Sequence, residues 1–189
     1  MKRLFVLILF MLVNFIFSCL STSTEKSVNT NNIPDGKTGN SGTTISKSFG
    51  SFSLPGDWVE LTRYSKNEKY FYSHRSDADN YPMTNISIEL GKNPYALDDH
   101  MTFRYAILRQ LLMQAGNAQV SGSGTYTEHD DPLYIFVIEE KEDPVTTTQF
   151  YIVGNKKHIL IHLTDFHNEN ITNAEEIARM MADSFIWAK

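Results

Sequence analysis

Residues 133–164 read LYIFVIEEKEDPVTTTQFYIVGNKKHILIHLT, and this stretch decides the fold of the chain. It contains three apolar runs, 133–140, 146–153 and 158–164, separated by short polar segments. Short runs rich in β-branched and aromatic residues between turn residues are typical of strands. The link Gly154-Asn155-Lys156 predicts a hairpin between the last two runs. The stretch 135–138, IFVI, is apolar on both faces and predicts a central strand.

The segments on either side of this meander predict further strands and a first helix. The strand patterns lie at 51–54, 58–61, 69–74, 84–90 and 119–128. Between the last two, apolar residues recur every three or four positions, which predicts a helix with one buried stripe. The members of that stripe are Leu97, Met101, Tyr105, Leu108, Leu112 and Ala115.

A second helix is predicted at the end of the chain. Thr172 and Glu175 have the spacing of a capping box, which marks a helix start. The buried stripe of this helix is predicted to contain Ile177, Met181, Phe185 and Ala188. Strands, helix, strand meander and helix in this order predict an α+β fold, an antiparallel sheet of about six to eight strands packed by two main helices.

Two short stretches carry a resemblance to a known family. Residues 52–58, FSLPGDW, and 181–185, MADSF, together with the order of elements, resemble the PsbP-like superfamily. The resemblance spans residues 49–189 and implies an α/β/α sandwich around an antiparallel sheet. It also implies a domain that binds or assembles with other molecules and has no catalytic role.

The start of the chain has the pattern of an export signal. Met1-Lys2-Arg3 is followed by an unbroken apolar run, 4–13, which is too short for a membrane-spanning helix. Ile16-Phe17-Ser18-Cys19 resembles the lipobox of bacterial lipoproteins. The resemblance implies cleavage between Ser18 and Cys19, a signal peptide at 1–18, and acyl chains such as palmitate on Cys19. The alternative is an ordinary signal peptide that happens to contain a cysteine.

The lipobox resemblance also gives a predicted location. Leu20 stands where an Asp would resemble an inner-membrane retention signal, so we expect an outer-membrane anchor facing the periplasm or the cell surface. Residues 19–48 are rich in Ser, Thr, Asn and Gly, and they predict the lipidated cysteine followed by a flexible tether. A recognition peptide is the alternative for this segment. Residues 49–189 are predicted to form one globular domain.

Composition excludes several classes of function. The formal net charge is −5, from 17 basic and 22 acidic residues, which argues against a nucleic acid partner. The single cysteine excludes an internal disulfide framework and a cysteine-rich metal site. Gly122-Ser123-Gly124 lacks the frame of a nucleophile turn or a phosphate loop and predicts a flexible or bulged strand.

The histidines are the main candidates for chemistry. His158 and His162 fall on one face of a predicted strand, about 13 Å apart, which is too far for joint binding of one ion in regular geometry. Asp165 and His167 follow in a predicted loop. We therefore predict no catalytic residue, metal or cofactor. Separately, Tyr70 and Tyr72 with Trp58 predict either an aromatic recognition surface or ordinary cross-strand packing.

Two functional hypotheses follow. The first is a membrane-anchored envelope lipoprotein that acts as a non-catalytic binding or assembly module with a protein partner. The second is a small envelope hydrolase or ligand-sequestering protein whose site is assembled from distant residues. Its site would contain His158, His162, Asp165 and His167, because active sites are assembled in three dimensions.

Overall fold

The computed structural model describes residues 42–80, 83–140, 145–167, 169 and 171–189. The described strands are β1 (Thr43–Lys47), β2 (Gly50–Leu54), β3 (Trp58–Glu60), β4 (Lys69–His74), β5 (Asn85–Lys92), β6 (Gln119–Tyr126), β7 (Pro132–Glu139), β8 (Thr146–Gly154), β9 (Lys157–Asp165) and β10 (Ile186–Trp187). The helices are α1 (His100–Gln114), which follows a 3-10 turn at Leu97–Asp99, and α2 (Ala174–Asp183).

The strands form two sheets in which every pairing is antiparallel. The large sheet has seven strands in the order β3-β4-β5-β9-β8-β7-β6, and the small sheet has the order β1-β2-β10. The α+β class, the antiparallel sheet of six to eight strands and the two main helices are therefore confirmed.

The three predicted strands of the meander are neighbours in the large sheet, with β9 at its centre and β8 and β7 following toward the β6 edge. The hairpin between β8 and β9 closes with Gly154 opposite Lys157, as the turn residues predicted. Lys156 in that turn takes a left-handed φ of 59°. β7 lies between β8 and β6, so it is an interior strand next to the sheet edge rather than the central strand.

The larger core lies on one face of the seven-stranded sheet, where α2 and the small sheet cover it. β9 directs Ile159, Ile161 and Leu163 into this core, and each is at most 2% exposed. From α2, Ile177 and Met181 pack against them, so the predicted stripe of this helix is confirmed at these positions. α2 contacts β9 and β8 on one side and β2 on the other.

α2 differs from the prediction at both of its ends. The helix ends at Asp183, and Ile186–Trp187 form β10, so Ala188 is not part of a helical stripe. The Ser184 hydroxyl donates to the carbonyl of Met180 at 2.7 Å and accepts from the backbone N–H of Ser53 at 2.9 Å, which ties the turn to β2. The predicted capping box is also wrong, because Asn173 is the N-cap and makes no side-chain cap hydrogen bond.

The opposite face of the large sheet carries α1 and a smaller core. Phe103 and Leu111 are the buried residues of this helix, and they pack with Tyr134, Phe136 and Tyr151 of the sheet. The predicted buried stripe is therefore wrong. Four of its members are exposed by 40–59%, namely Leu97, Met101, Tyr105 and Leu112.

The physical reason is that α1 is apolar on two sides. Phe103, Ile107 and Leu111 are spaced by four residues and form a second stripe, which is the one that faces the sheet. Periodicity marks each stripe equally well and does not determine which one is buried.

The small sheet begins earlier than the predicted domain boundary. β1 pairs with β2 along its whole length, from Thr43 opposite Leu54 to Lys47 opposite Gly50. Residues 43–47 of the predicted tether, 19–48, therefore belong to the fold. Residues 19–41 lie outside the described residues.

Candidate functional site

The predicted lipidation and cleavage residues, Ser18 and Cys19, lie outside the described residues. Among the described residues, neither helix has the length and apolar character that a membrane crossing requires.

His158 is packed among aromatic rings on the α1 face of the sheet. Its ring centroid lies 5.0 Å from that of Phe103 and 5.6 Å from that of Tyr151. Gly91 lies opposite it on β5, and a Cβ there would come within 2.3 Å of the imidazole. Burial lowers the pKa of His158 to about 4, against the opposing effect of a hydrogen bond with the backbone of Lys92. This histidine therefore acts as a neutral packing residue.

His162 lies on the same face of β9, between Ser87 and Gln149 of the neighbouring strands. Burial lowers its pKa to about 4, and the charge of Lys69 adds to this effect. Lys69 itself is paired with Glu89 at 3.0 Å.

Asp165 and His167 form a pair of their own after β9. Their closest side-chain atoms, Oδ2 and Nδ1, are 3.6 Å apart, and His167 Nε2 lies 2.9 Å from the Thr146 hydroxyl. Asp165 also accepts a hydrogen bond from Thr84. Within the described ranges, no three His, Cys, Asp or Glu residues converge closely enough to hold a metal ion. The structure thus brings together two of the four residues of the hydrolase hypothesis and keeps both strand histidines in separate packing positions.

The aromatic residues proposed as a recognition surface belong to the core instead. Tyr72 is 1% exposed and packs edge-on against Phe52, and Trp58 is 4% exposed. Tyr70 is half-buried, with the ammonium of Lys47 3.8 Å from its ring centroid. The recognition surface is therefore wrong for Trp58 and Tyr72, which are core residues, and Tyr72 packs against the small sheet rather than against a neighbouring strand of its own.

An open strand edge is the first feature of a different candidate site. β6 ends the large sheet, and within the described residues its outer edge has no neighbouring strand. It pairs with β7 in continuous register from Gln119 to Tyr126, so Gly122-Ser123-Gly124 forms a regular strand rather than a bulge. The strand has no charged residue and no proline, which are the usual protections of an exposed edge.

The glycines of β6 allow aromatic rings from β7 to cover this edge. A Cβ at Gly122 would come within 2.8 Å of the Phe136 ring, and one at Gly124 within 2.9 Å of the Tyr134 ring. At these two glycines the α1 face of the edge is therefore lined by aromatic side chains of the neighbouring strand. Such ring cover of edge glycines stabilises strand pairing.

The second feature is an exposed apolar side of α1, which we call the α1 flank. It consists of Met101, Tyr105 and Leu112, and Leu108 lies beside them, half-buried against the smaller core. Tyr105 is 59% exposed and Leu112 57%, and both line a shallow groove of about 500 Å³ with Arg109. A helix with apolar residues on both sides normally has neighbours on both sides.

Phe103 of α1 packs toward β8 and β9, against Tyr151 and His158, whereas the flank lies on the other side of the helix, which contacts β7 and β6. Sδ of Met101 accepts a hydrogen bond of 3.2 Å from the Tyr134 hydroxyl, which also lies 2.6 Å from Nδ1 of His100. The guanidinium of Arg104 lies 5.6 Å from the centroid of the Tyr134 ring. Burial raises the pKa of Tyr134, against the opposing charge of Arg104. We call β6 and the α1 flank together the open edge.

A second groove, of about 620 Å³, lies at the start of α1. Its lining residues are Ala96, Leu97, Asp98, His100, Asp130, Pro132 and Asn155. Asp130 takes a left-handed φ of 63° in the turn that follows β6. The ring nitrogen of His100 that lies near Tyr134 is already paired, so the groove offers two carboxylates and no activated nucleophile.

Sequence reasoning missed the open edge, although two signals for it were present. Two apolar stripes occur within residues 100–114, and one helix rarely buries both in a small domain. The same residues contain two arginines and no acidic side chain, although the whole chain has an excess of acid. These features of the helix are one signal. The other is a strand of eight uncharged residues, 119–126.

Comparison with known proteins gives similarity of fold. No protein-family model and no curated protein sequence matches the chain. The solution structure of cyanobacterial PsbP (CyanoP) from Synechocystis sp. PCC 6803 is similar over 82% of this chain and 98% of its own, with 14% identity and a TM-score of 0.49. A crystal structure from Bacteroides thetaiotaomicron VPI-5482 is similar over 74% of this chain and 45% of its own, with 13% identity and a TM-score of 0.39. These similarities concern the fold alone.

Proposed function

We propose that this chain is a membrane-anchored lipoprotein of the cell envelope that acts as a non-catalytic binding or assembly module. The open edge is the observation that carries the binding role, because it joins an unpaired strand edge to an exposed apolar helix side. Monomeric soluble proteins rarely expose contiguous apolar patches of this kind without a use for them.

The anchor is the second part of the proposal. The only cysteine of the chain is Cys19, and it stands directly after the small residue Ser18 at the end of an apolar segment. Two or more acyl chains on such a cysteine would hold the protein firmly at a membrane, whereas a single chain would not. We place this anchor in the outer membrane, with the domain facing the periplasm or the cell surface.

A binding role also agrees with the chemistry of the described side chains. Both strand histidines have a pKa near 4 because of burial, so they are neutral near pH 7 and are enclosed by packing. The tyrosines at the sheet are held protonated, since burial raises the pKa of Tyr151 and of Tyr72 far above their ordinary value.

The anchor is tested with Cys19→Ser in the producing bacterium. We expect the wild-type chain to incorporate labelled palmitate and to sediment with membranes, and the variant to lose the label and to leave the membrane fraction once its signal is removed. A wild-type chain that takes up no fatty acid would show that the lipoprotein assignment is wrong.

The binding role is tested by recovering the tagged protein with its partners from the envelope. The double variant Tyr105→Ala/Leu112→Ala should lose its partners. The matched control, Tyr64→Ala/Leu90→Ala, changes the same residue types at positions 41% and 39% exposed and should keep them. Equal recovery of partners by both double variants would contradict a binding role for the open edge.

A further inference from the structure

We infer that the open edge binds a second copy of the chain, through antiparallel pairing of the two β6 strands about a twofold axis. The inference rests on the proposed function, since it names the partner of the same surface. The two strands would join two seven-stranded sheets into one continuous sheet, which removes the exposed edge from both copies.

The sequence of β6 is suited to pairing with itself. With Ser123 of both copies on the axis, Gly122 of one strand lies opposite Gly124 of the other, and Ser121 lies opposite Thr125. On the face that carries α1, Val120 lies opposite Tyr126, a pair of a β-branched and an aromatic residue that stabilises sheets. Tyr126 is 56% exposed in the single chain.

The position of α1 fits the same arrangement. Its main contacts with the sheet are with β6 and β7, so the helix lies over the gap between these strands. Adding a second copy at the usual strand spacing would place the two α1 axes about 10 Å apart. Two packed helices lie 8–10 Å apart, so the α1 flanks, with Tyr105 and Leu112, would meet across the axis and cover each other.

Charge also favours this edge as the contact between two copies. The chain has a net charge of −5, so two copies repel each other over most of their surface. β6 carries no charge, and α1 carries Arg104 and Arg109 without an acidic residue. The β6 strand is thus an edge on which two acidic copies meet without opposing charges of the same sign.

The size of the surface corresponds to a small interface. Eight strand residues give an edge of about 27 Å. The strand layer and the helix above it give the contact a height of about 20 Å. A face of these dimensions is on the order of 500 Å² per partner, which is the size of a weak or transient interface rather than the roughly 800 Å² of ordinary specific ones.

The inference is tested by disulfide cross-linking of single-cysteine variants of the full chain. Every variant also carries Cys19→Ser, so no other thiol is present and the result does not depend on lipidation. Membranes or extract are oxidised with copper phenanthroline, and dimers are separated without reductant. Ser123→Cys should give mostly dimer, because the two thiols would face each other on the axis within disulfide reach.

The control for this variant is Ser46→Cys on β1, an exposed position on the other sheet that should give at least tenfold less dimer. The register is tested by mixing Ser121→Cys chains with Thr125→Cys chains, which should cross-link to each other more than either does to itself. Adding Leu112→Glu to Ser123→Cys should lower the dimer at least tenfold, and adding Leu90→Glu should not.

The inference is overturned if Ser123→Cys stays monomeric, if Ser46→Cys forms as much dimer, or if Ser123→Cys is captured by a different protein. None of these outcomes bears on the proposed lipid anchor, which the palmitate experiment tests. If the protein is monomeric but still recovers other proteins through the open edge, the proposed binding role stands and only the pairing with a second copy is wrong.

Discussion

The two helices of this protein differ in what covers them, and this difference is the basis of the proposed binding surface. α2 lies between the large sheet and β2, and its apolar residues face both. α1 packs on one face of the large sheet and has no described element on its other side. The apolar residues of α2 thus stabilise the fold, whereas half of those of α1 remain available to a partner.

The largest effect should come from a residue at the end of α2. Phe185 is fully buried, with its ring 5.0 Å from that of Trp187 and 6.4 Å from that of Phe49. Phe185→Ala should lower the free energy of unfolding by about 3–5 kcal/mol, because it leaves a cavity that the core fills only in part. Urea-induced unfolding followed by tryptophan fluorescence measures this loss.

The neighbouring residue supplies the control. Ile186 is 50% exposed, so Ile186→Ala should cost about 0.5 kcal/mol or less. A loss of similar size for both variants would mean that the core around α2 extends beyond the residues assigned to it.

A smaller but clear effect should come from the buried side of α1. Leu111 is 4% exposed and belongs to the smaller core with Phe136 and Ile138. Leu111→Ala should lower the free energy of unfolding by about 2–3 kcal/mol, at the low end for such truncations because one side of this core is thin. A loss below about 0.5 kcal/mol would indicate that α1 is not held to the sheet by this residue.

The sequence predicted the α2 side of the molecule better than the α1 side. On β9, Ile159, Ile161 and Leu163 share one face, and Leu160 is the one apolar residue between the histidines on the other, while α2 has a single apolar stripe, so each pattern indicates which side faces the larger core. α1 has two apolar stripes, and which of them is buried depends on contacts with Tyr134 and Tyr151, which lie far along the chain.

The candidate sites also depend on contacts that the sequence pattern does not contain. No linear pattern brings the exposed stripe of α1 next to β6, because this proximity arises only when β7 and β6 pair at the sheet edge. The histidine candidates, by contrast, were recognised as residues, but packing decides their role. His158 contacts Phe103 and Tyr151, and neither contact is visible in the spacing of the sequence.

The pH dependence of stability should report the two half-buried histidines of β9. His158 and His162 have folded-state pKa values of about 4, against 6.5 for an unperturbed histidine. Between these values the unfolded chain binds more protons than the folded chain, so the free energy of unfolding falls as the pH drops from 6.5 to 4. Above pH 6.5 both states are neutral at these positions and the effect is absent.

The double variant His158→Gln/His162→Gln should flatten this part of the stability curve, because neither position then takes up a proton on unfolding. Urea unfolding of the wild type and of the double variant at a series of pH values measures this difference. An unaltered slope in the double variant would show that these histidines are charged in the folded protein.

The smallest effect on the single chain should come from the residue next to Leu111. Leu112 is 57% exposed, so Leu112→Ala should change the free energy of unfolding by at most about 0.5 kcal/mol in dilute solution. If a second copy covers the α1 flank, the wild-type unfolding midpoint rises with protein concentration, because association stabilises the folded state. The rise should be smaller in Leu112→Ala, whereas Leu111→Ala should lower the midpoint equally at every concentration. A loss of 2 kcal/mol or more for Leu112→Ala in dilute solution would mean that the chain itself buries this side of α1, and the contrast between the two helices would then disappear.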